Sequence, residues 1–100
     1  MKQDEKIVED VMNKLLDKIS PEGVIKTITK VVDSFYKPDG RKVYKIDFTL
    51  VVPDDSYFTI NSGGYDALMK ISGWMKDYFG YYLWLENLEI IKESEYKKMS

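Results

Sequence analysis

Two runs rich in β-branched and aromatic residues, 24–36 and 42–52, stand on either side of Lys37-Pro38-Asp39-Gly40-Arg41. Pro at the first corner presets φ, Asp suits the second, and Gly supplies the left-handed residue that closes a type I turn. The pattern is a β-hairpin, and the turn sets its register. If Lys37 pairs with Arg41, Asp33 faces Lys45, Val32 faces Ile46 and Ile28 faces Leu50. An opposite-charge pair then arises from turn geometry alone, which supports the alignment. One face collects Ile28, Val32, Tyr44, Ile46, Phe48, Leu50 and Val52. The other carries Thr27, Thr29, Asp33, Lys45, Asp47 and Thr49, with Val31, Phe35, Val43 and Val51 among them, and is expected to be largely wet. Lys26 and Lys30 land on the apolar face, which signals a bulge or snorkelling stems.

The flanking segments supply helices and one more strand. Over residues 4–19, Ile7, Val8, Val11, Met12, Leu15, Leu16 and Ile19 recur at three- and four-residue spacing, so this stretch reads as an amphipathic helix. Ser20-Pro21-Glu22-Gly23 stops it. Residues 53–64 form a loop, with room for a short strand over 57–60. Residues 65–79 read as a second helix, with Leu68, Ile71, Met75, Tyr78 and Phe79 inward, Ser62 as a candidate cap and Gly80 as terminator. Gly73 costs about 1 kcal/mol against Ala in mid-helix, and close packing is one reason to tolerate it. Residues 81–91 form a third strand, apolar on both faces at its start. The expected fold is α+β: one small domain over 1–91 in the order α-β-β-α-β. Its three-stranded sheet is mainly antiparallel in strand order 2-1-3, with both helices on one face. A charged tail over 92–100 is expected to fray. Such a sheet leaves two open edges, and edge pairing between two copies is a natural consequence.

Composition narrows the chemistry. The 100 residues include no His and no Cys. This removes the commonest general base, the Ser-His and Cys-His nucleophile arrangements, disulfides and thiolate metal sites. The carboxylates form no constellation: Asp54 and Asp55 are adjacent in a turn, while Glu86 and Glu89 fall on opposite faces of a strand. No metal site, cofactor or catalytic residue is expected, and the reading is not an enzyme. Ser94-Glu95-Tyr96-Lys97 matches a Ser-x-x-Lys motif by chance, since nothing in a charged tail desolvates the Lys. Asn61-Ser62-Gly63-Gly64 before a helix lacks the Lys of a phosphate-binding loop. No secretory signal or membrane-length apolar run is present, so a cytoplasmic protein without membrane contact is the expectation.

Two surface features remain. Nine of the fourteen aromatic residues crowd into residues 57–84, where they either fill the small core or form an exposed patch. Tyr81 and Tyr82 must point to opposite faces of their strand, as must Leu83 and Trp84, so one set faces away from the core. Tyr57, Phe58, Tyr81, Tyr82 and Trp84 are therefore candidate partner-binding residues. The hairpin also carries Lys37, Arg41, Lys42 and Lys45, which could track phosphates; the same lysines also suit a soluble hairpin that resists edge aggregation. A net charge of −2 and a single Arg weigh against general nucleic-acid binding. The functional expectation is a non-enzymatic protein–protein interaction module, a homodimer that also meets an unidentified protein. Its size and Lys-, Ile- and Tyr-heavy composition are compatible with a phage- or virus-encoded regulator or inhibitor of a host protein. The alternative is a nucleic-acid-binding module using the basic 26–45 hairpin.

Overall fold

The computed structural model describes residues 2–18, 22–57 and 63–99. The elements follow as α1 (Gln3–Lys18), β1 (Lys26–Tyr36), β2 (Lys42–Val52), α2 (Tyr65–Phe79), β3 (Tyr82–Lys92) and α3 (Glu93–Met99). The expected small α+β domain and its order α-β-β-α-β are present, with one helix more. Residues 93–99, expected as part of a charged tail, are helical. Ile19, Ser20, Pro21, the strand considered over 57–60 (beyond Tyr57), and the Ser62 cap lie outside the described residues.

The sheet corrects the expected topology. Its strand order is β1-β2-β3, not 2-1-3, and it is mixed: β1 pairs with β2 antiparallel, and β3 with β2 parallel. The cause lies in β2. Tyr44, Ile46, Phe48, Leu50 and Val52 are buried on one side, and Val43 and Val51 are buried on the other. A strand apolar on both faces belongs in the centre. α2 then carries the chain back from the end of β2 to its start, so β3 enters parallel beside it.

Both long helices cover one face of the sheet, as expected. Val8, Met12 and Leu16 of α1 and Leu68, Ile71 and Met75 of α2 join the Tyr44, Ile46, Phe48, Leu50 and Val52 row in one core. Ile7, Tyr78 and Phe79, read from spacing as inward, are exposed. Gly80 ends α2 in the left-handed conformation (φ 71°), with the Tyr81 N–H bonded to the Met75 carbonyl. Gly73 has no close neighbour: an added Cβ meets nothing within 4 Å. Close packing is not its reason.

The hairpin turn is as read, with Gly40 at φ 90° and the Lys37 N–H bonded to the Arg41 carbonyl. Asp33 faces Lys45. Beyond that pair the expected register fails by one residue, because Val32 is a bulge. Val31, not Val32, pairs with Ile46, and Thr27, not Ile28, pairs with Leu50. One extra residue turns every following side chain over. Thr27, Thr29 and Val31 enter the core side, whereas Val32 is exposed and Lys26 and Lys30 reach the open face. The bulge resolves the conflict that the two lysines signalled.

α1 does more than roof the core. Asn13 Oδ1 accepts from the Thr29 N–H (3.0 Å), and Asn13 Nδ2 donates to the Thr29 carbonyl (2.9 Å). Glu9 Oε1 accepts from the Val31 N–H at 2.8 Å, and Glu5 accepts from the Ser34 hydroxyl. A polar row at four-residue spacing thus lies along the outer edge of β1 and supplies the bonds that a fourth strand would make.

Candidate functional site

The face of the sheet opposite α1 and α2, referred to as the open face, gathers its aromatic residues at the hairpin end. Phe35 of β1, Val43 of β2 and Tyr82 of β3 stand in one row across the sheet. Asp33, Lys45 and Trp84 form the next. Alternation along each strand puts these side chains on the side away from α1 and α2. Val43 is buried between its neighbours, Phe35 and Tyr82 are half-buried, and Trp84 is 54% exposed. Phe35 and Trp84 meet edge to face, with ring centroids 6.4 Å apart and planes at 76°. Two cations lie against the patch. The Arg41 guanidinium stands 5.1 Å from the Tyr82 ring centre, and Lys45 Nζ stands 5.6 Å from that of Phe35. Arg41 is also held by Asp39 at 3.3 Å.

A groove of about 300 Å³ continues the patch towards α2. Lys37, Val43, Tyr82 and Trp84 form one side, and Met69, Gly73 and Lys76 the other. The opposite end of the open face is chemically different. There a shallow depression sets Ile28 among Lys30, Asp47, Thr49, Asn87 and Glu89, and Asn87 Nδ2 donates to Asp47 at 2.9 Å. The aromatic patch is confined to the hairpin end.

The structure separates the residues expected to act together. Tyr82 and Trp84 share the open-face patch. Tyr81 points to the helical side, where it stacks on Phe79 (6.1 Å) and meets Tyr44 edge to face (6.0 Å). Tyr57 is 94% exposed but follows the far end of β2, beside Ser56, whose carbonyl accepts from Lys92. Phe58 lies outside the described residues. Of the basic set, Arg41 and Lys45 flank the aromatic rings and Lys37 lines the groove. Lys42 instead turns to the helical side, pairing with Asp4 and lying over the Tyr36 and Tyr44 rings.

That last cluster is structural. The Lys42 ammonium holds the Asp4 carboxyl below its ordinary range, and the same bond raises Lys42. Burial pushes the Tyr44 phenol up, and its hydroxyl donates to Asp4 at 3.3 Å. The cluster pins the first turn of α1 to the start of β2.

Phe35 was missed as a site residue. Its signal was present: it falls on the hairpin face expected to be wet, where an aromatic side chain has no core to fill. Among the described residues, no group of three or more His, Cys, Asp or Glu could hold a metal ion. No helix of the described residues is long and apolar enough to cross a membrane. Compared with protein-family models, with curated proteins and with solved structures, the chain matches none.

Proposed function

We propose that the chain is a non-enzymatic protein–protein interaction module, acting as a homodimer that presents its open sheet face to another protein. The single observation that carries the reading is the Phe35–Trp84 pair, two aromatic rings in contact on a sheet face that neither α1 nor α2 covers. Aromatic residues with rigid rings and polar rims dominate binding energy at protein interfaces. Lys37, Arg41 and Lys45 around them favour a partner that brings an apolar anchor ringed by carboxylates. Polar groups of α1 speak for the non-enzymatic reading in a positive way. Asp4, Glu5, Glu9 and Asn13 are spent on holding the helix to β1 and β2.

The test uses two baits of the full chain, native and Phe35→Ala/Trp84→Ala, each checked for unchanged far-UV circular dichroism. A protein that binds the native chain directly when purified, and the variant at least tenfold more weakly, is the expected result. Baits that hold the same purified proteins equally well would overturn the reading.

A second reading has an observation of its own: the three cations and three aromatic rings share one face, as single-stranded nucleic acid requires. A fluorescein-labelled single-stranded 20-mer of DNA or RNA, titrated at low salt, decides it. Binding that quenches Trp84 and weakens steeply with added salt favours this reading over the first. No binding at low salt removes it.

A further inference from the structure

The two edges of the sheet are treated differently. The edge of β1 is closed by α1, through Asn13 on both backbone groups of Thr29 and Glu9 on the Val31 N–H. The outer edge of β3 has no such cover among the described residues: no backbone group along Tyr82–Lys92 has a hydrogen-bond partner on that side. Unpaired strand edges are templates for another strand.

The side chains of β3 are also unfinished. Leu83, Leu85, Leu88 and Ile90 stand in register with Tyr44, Ile46, Phe48 and Leu50 of β2. The β2 residues are buried, whereas the β3 row, facing the same core, is only half-buried. The core therefore runs out to an open border along β3. α2 leaves room beside it, since a groove of about 300 Å³ separates Gly73 from the start of β3.

We infer that the outer edge of β3 is a self-pairing seam, at which a second copy of the chain adds its own β3 antiparallel. The inference rests on the homodimer of the preceding reading and names its interface. The bulge selects the register. β3 carries one extra residue, Glu86, between the residues that pair with Ile46 and Asp47. Setting the two bulges against each other keeps core side against core side along the whole strand. Leu83 then faces Ile90 of the other copy and Leu85 faces Leu88, each twice, which extends the core across the seam. On the open side Tyr82 faces Ile91 and Trp84 faces Glu89. Glu86 meets Asn87, so no carboxylate is set directly against another. The two-fold axis stands perpendicular to the sheet, and both helical layers lie on one side. The product is a six-stranded sheet whose open face carries the Phe35–Trp84 patch twice.

The test is the solution mass of the full chain across a dilution series, with hydrogen exchange read at the β3 amides. Asn87 is exposed and central, and since it also donates to Asp47 within its own chain, the stability of each charge variant is measured beside its dimer affinity, so that only the change in association is read as the seam. The expected result is a two-chain mass with slow exchange at the β3 amides that point away from β2. Asn87→Glu sets a carboxylate against Glu86 of the other copy twice and weakens the dimer by about tenfold, whereas Asn87→Lys tightens it. A dimer whose outward β3 amides exchange freely, or whose affinity ignores both variants, overturns the seam and leaves self-association standing. A single-chain mass at every concentration overturns both.

Discussion

Asn13 on α1 holds Thr29 on β1 by both of its backbone groups, accepting from the N–H at 3.0 Å and donating to the carbonyl at 2.9 Å. A side-chain amide sets an N–H donor beside a carbonyl acceptor, as a strand residue does, so Asn13 stands in for one residue of a missing strand and keeps a second N–H free of this pair. This contact decides which edge of the sheet is closed and therefore which remains for a partner.

Asn13→Ala should destabilise the fold by about 1–3 kcal/mol, since it strands two backbone groups that are partly shielded from water. At about 4–8 °C per kcal/mol for a domain of this size, thermal unfolding resolves the loss easily. Asn13→Asp should fall between the two, because it keeps the acceptor for the Thr29 N–H but sets a carboxylate against the Thr29 carbonyl. An Asn13→Ala chain that melts with the native one would mean that water serves the edge equally well.

The side chain of Thr29 gives an opposite expectation. Its hydroxyl is buried without a hydrogen-bond partner among the described residues, and so is that of Thr27. Val has nearly the same shape and no polar atom to satisfy. Thr29→Val should therefore raise stability by about 1 kcal/mol, read as a shift of the urea midpoint at constant slope. A loss of stability would show that the hydroxyl is bonded in solution.

These two positions also show what could and could not be read in advance. The apolar row of α1, Val8, Met12 and Leu16, is visible because water cannot serve it. The polar row Glu5, Glu9 and Asn13 has the same four-residue period, yet side chains that bond a strand edge look like side chains that bond water. The Val32 bulge was signalled by Lys26 and Lys30 but not located, because a one-residue slip preserves the β pattern and only changes which face it serves. Strand order turned on β2, whose Val43 and Val51 oppose its core row at both ends of the strand; in β3 the two-faced apolar pattern is confined to its start, and that strand lies at the edge. For the site, alternation placed Tyr82 and Trp84 together and apart from Tyr81. The remaining member, Phe35, sits across β2 on another strand, and no local pattern joins residues 35 and 84.

Gly73 offers a separate check. It lies in the middle of α2, and a Cβ there meets nothing within 4 Å. No positive φ requires glycine at this position. Gly73→Ala should stabilise the chain by about 0.5–1 kcal/mol, by reducing the freedom of the unfolded state. Chemical denaturation measures it directly. A destabilised variant would mean that the groove beside α2 closes on Gly73 in solution.

The Asp4–Lys42 pair predicts a pH window. The ammonium of Lys42 depresses Asp4 below its ordinary 3.8, and the same bond raises Lys42 above its ordinary 10.5. A depressed acid contributes stability that is complete above its unfolded value and is lost as pH falls through the folded one. A raised base contributes stability that is complete below its unfolded value and is lost as pH rises through the folded one. The pair therefore acts fully between the two ordinary values. Tyr44, raised chiefly by burial, adds to the loss on the alkaline side, because ionising it in place is costly. Asp4→Asn removes the charge and leaves an acceptor for Lys42 and Tyr44. Its urea midpoint should lie below the native one at neutral pH, and the two should converge as the medium is acidified below the carboxylate range, where the native Asp4 is itself neutral. Asp4 keeps about two-fifths of its side chain exposed while Lys42 is half-buried, so added salt should narrow the gap at neutral pH only in part. A gap that persists unchanged in strong acid would show that Asp4 acts through shape and not through charge.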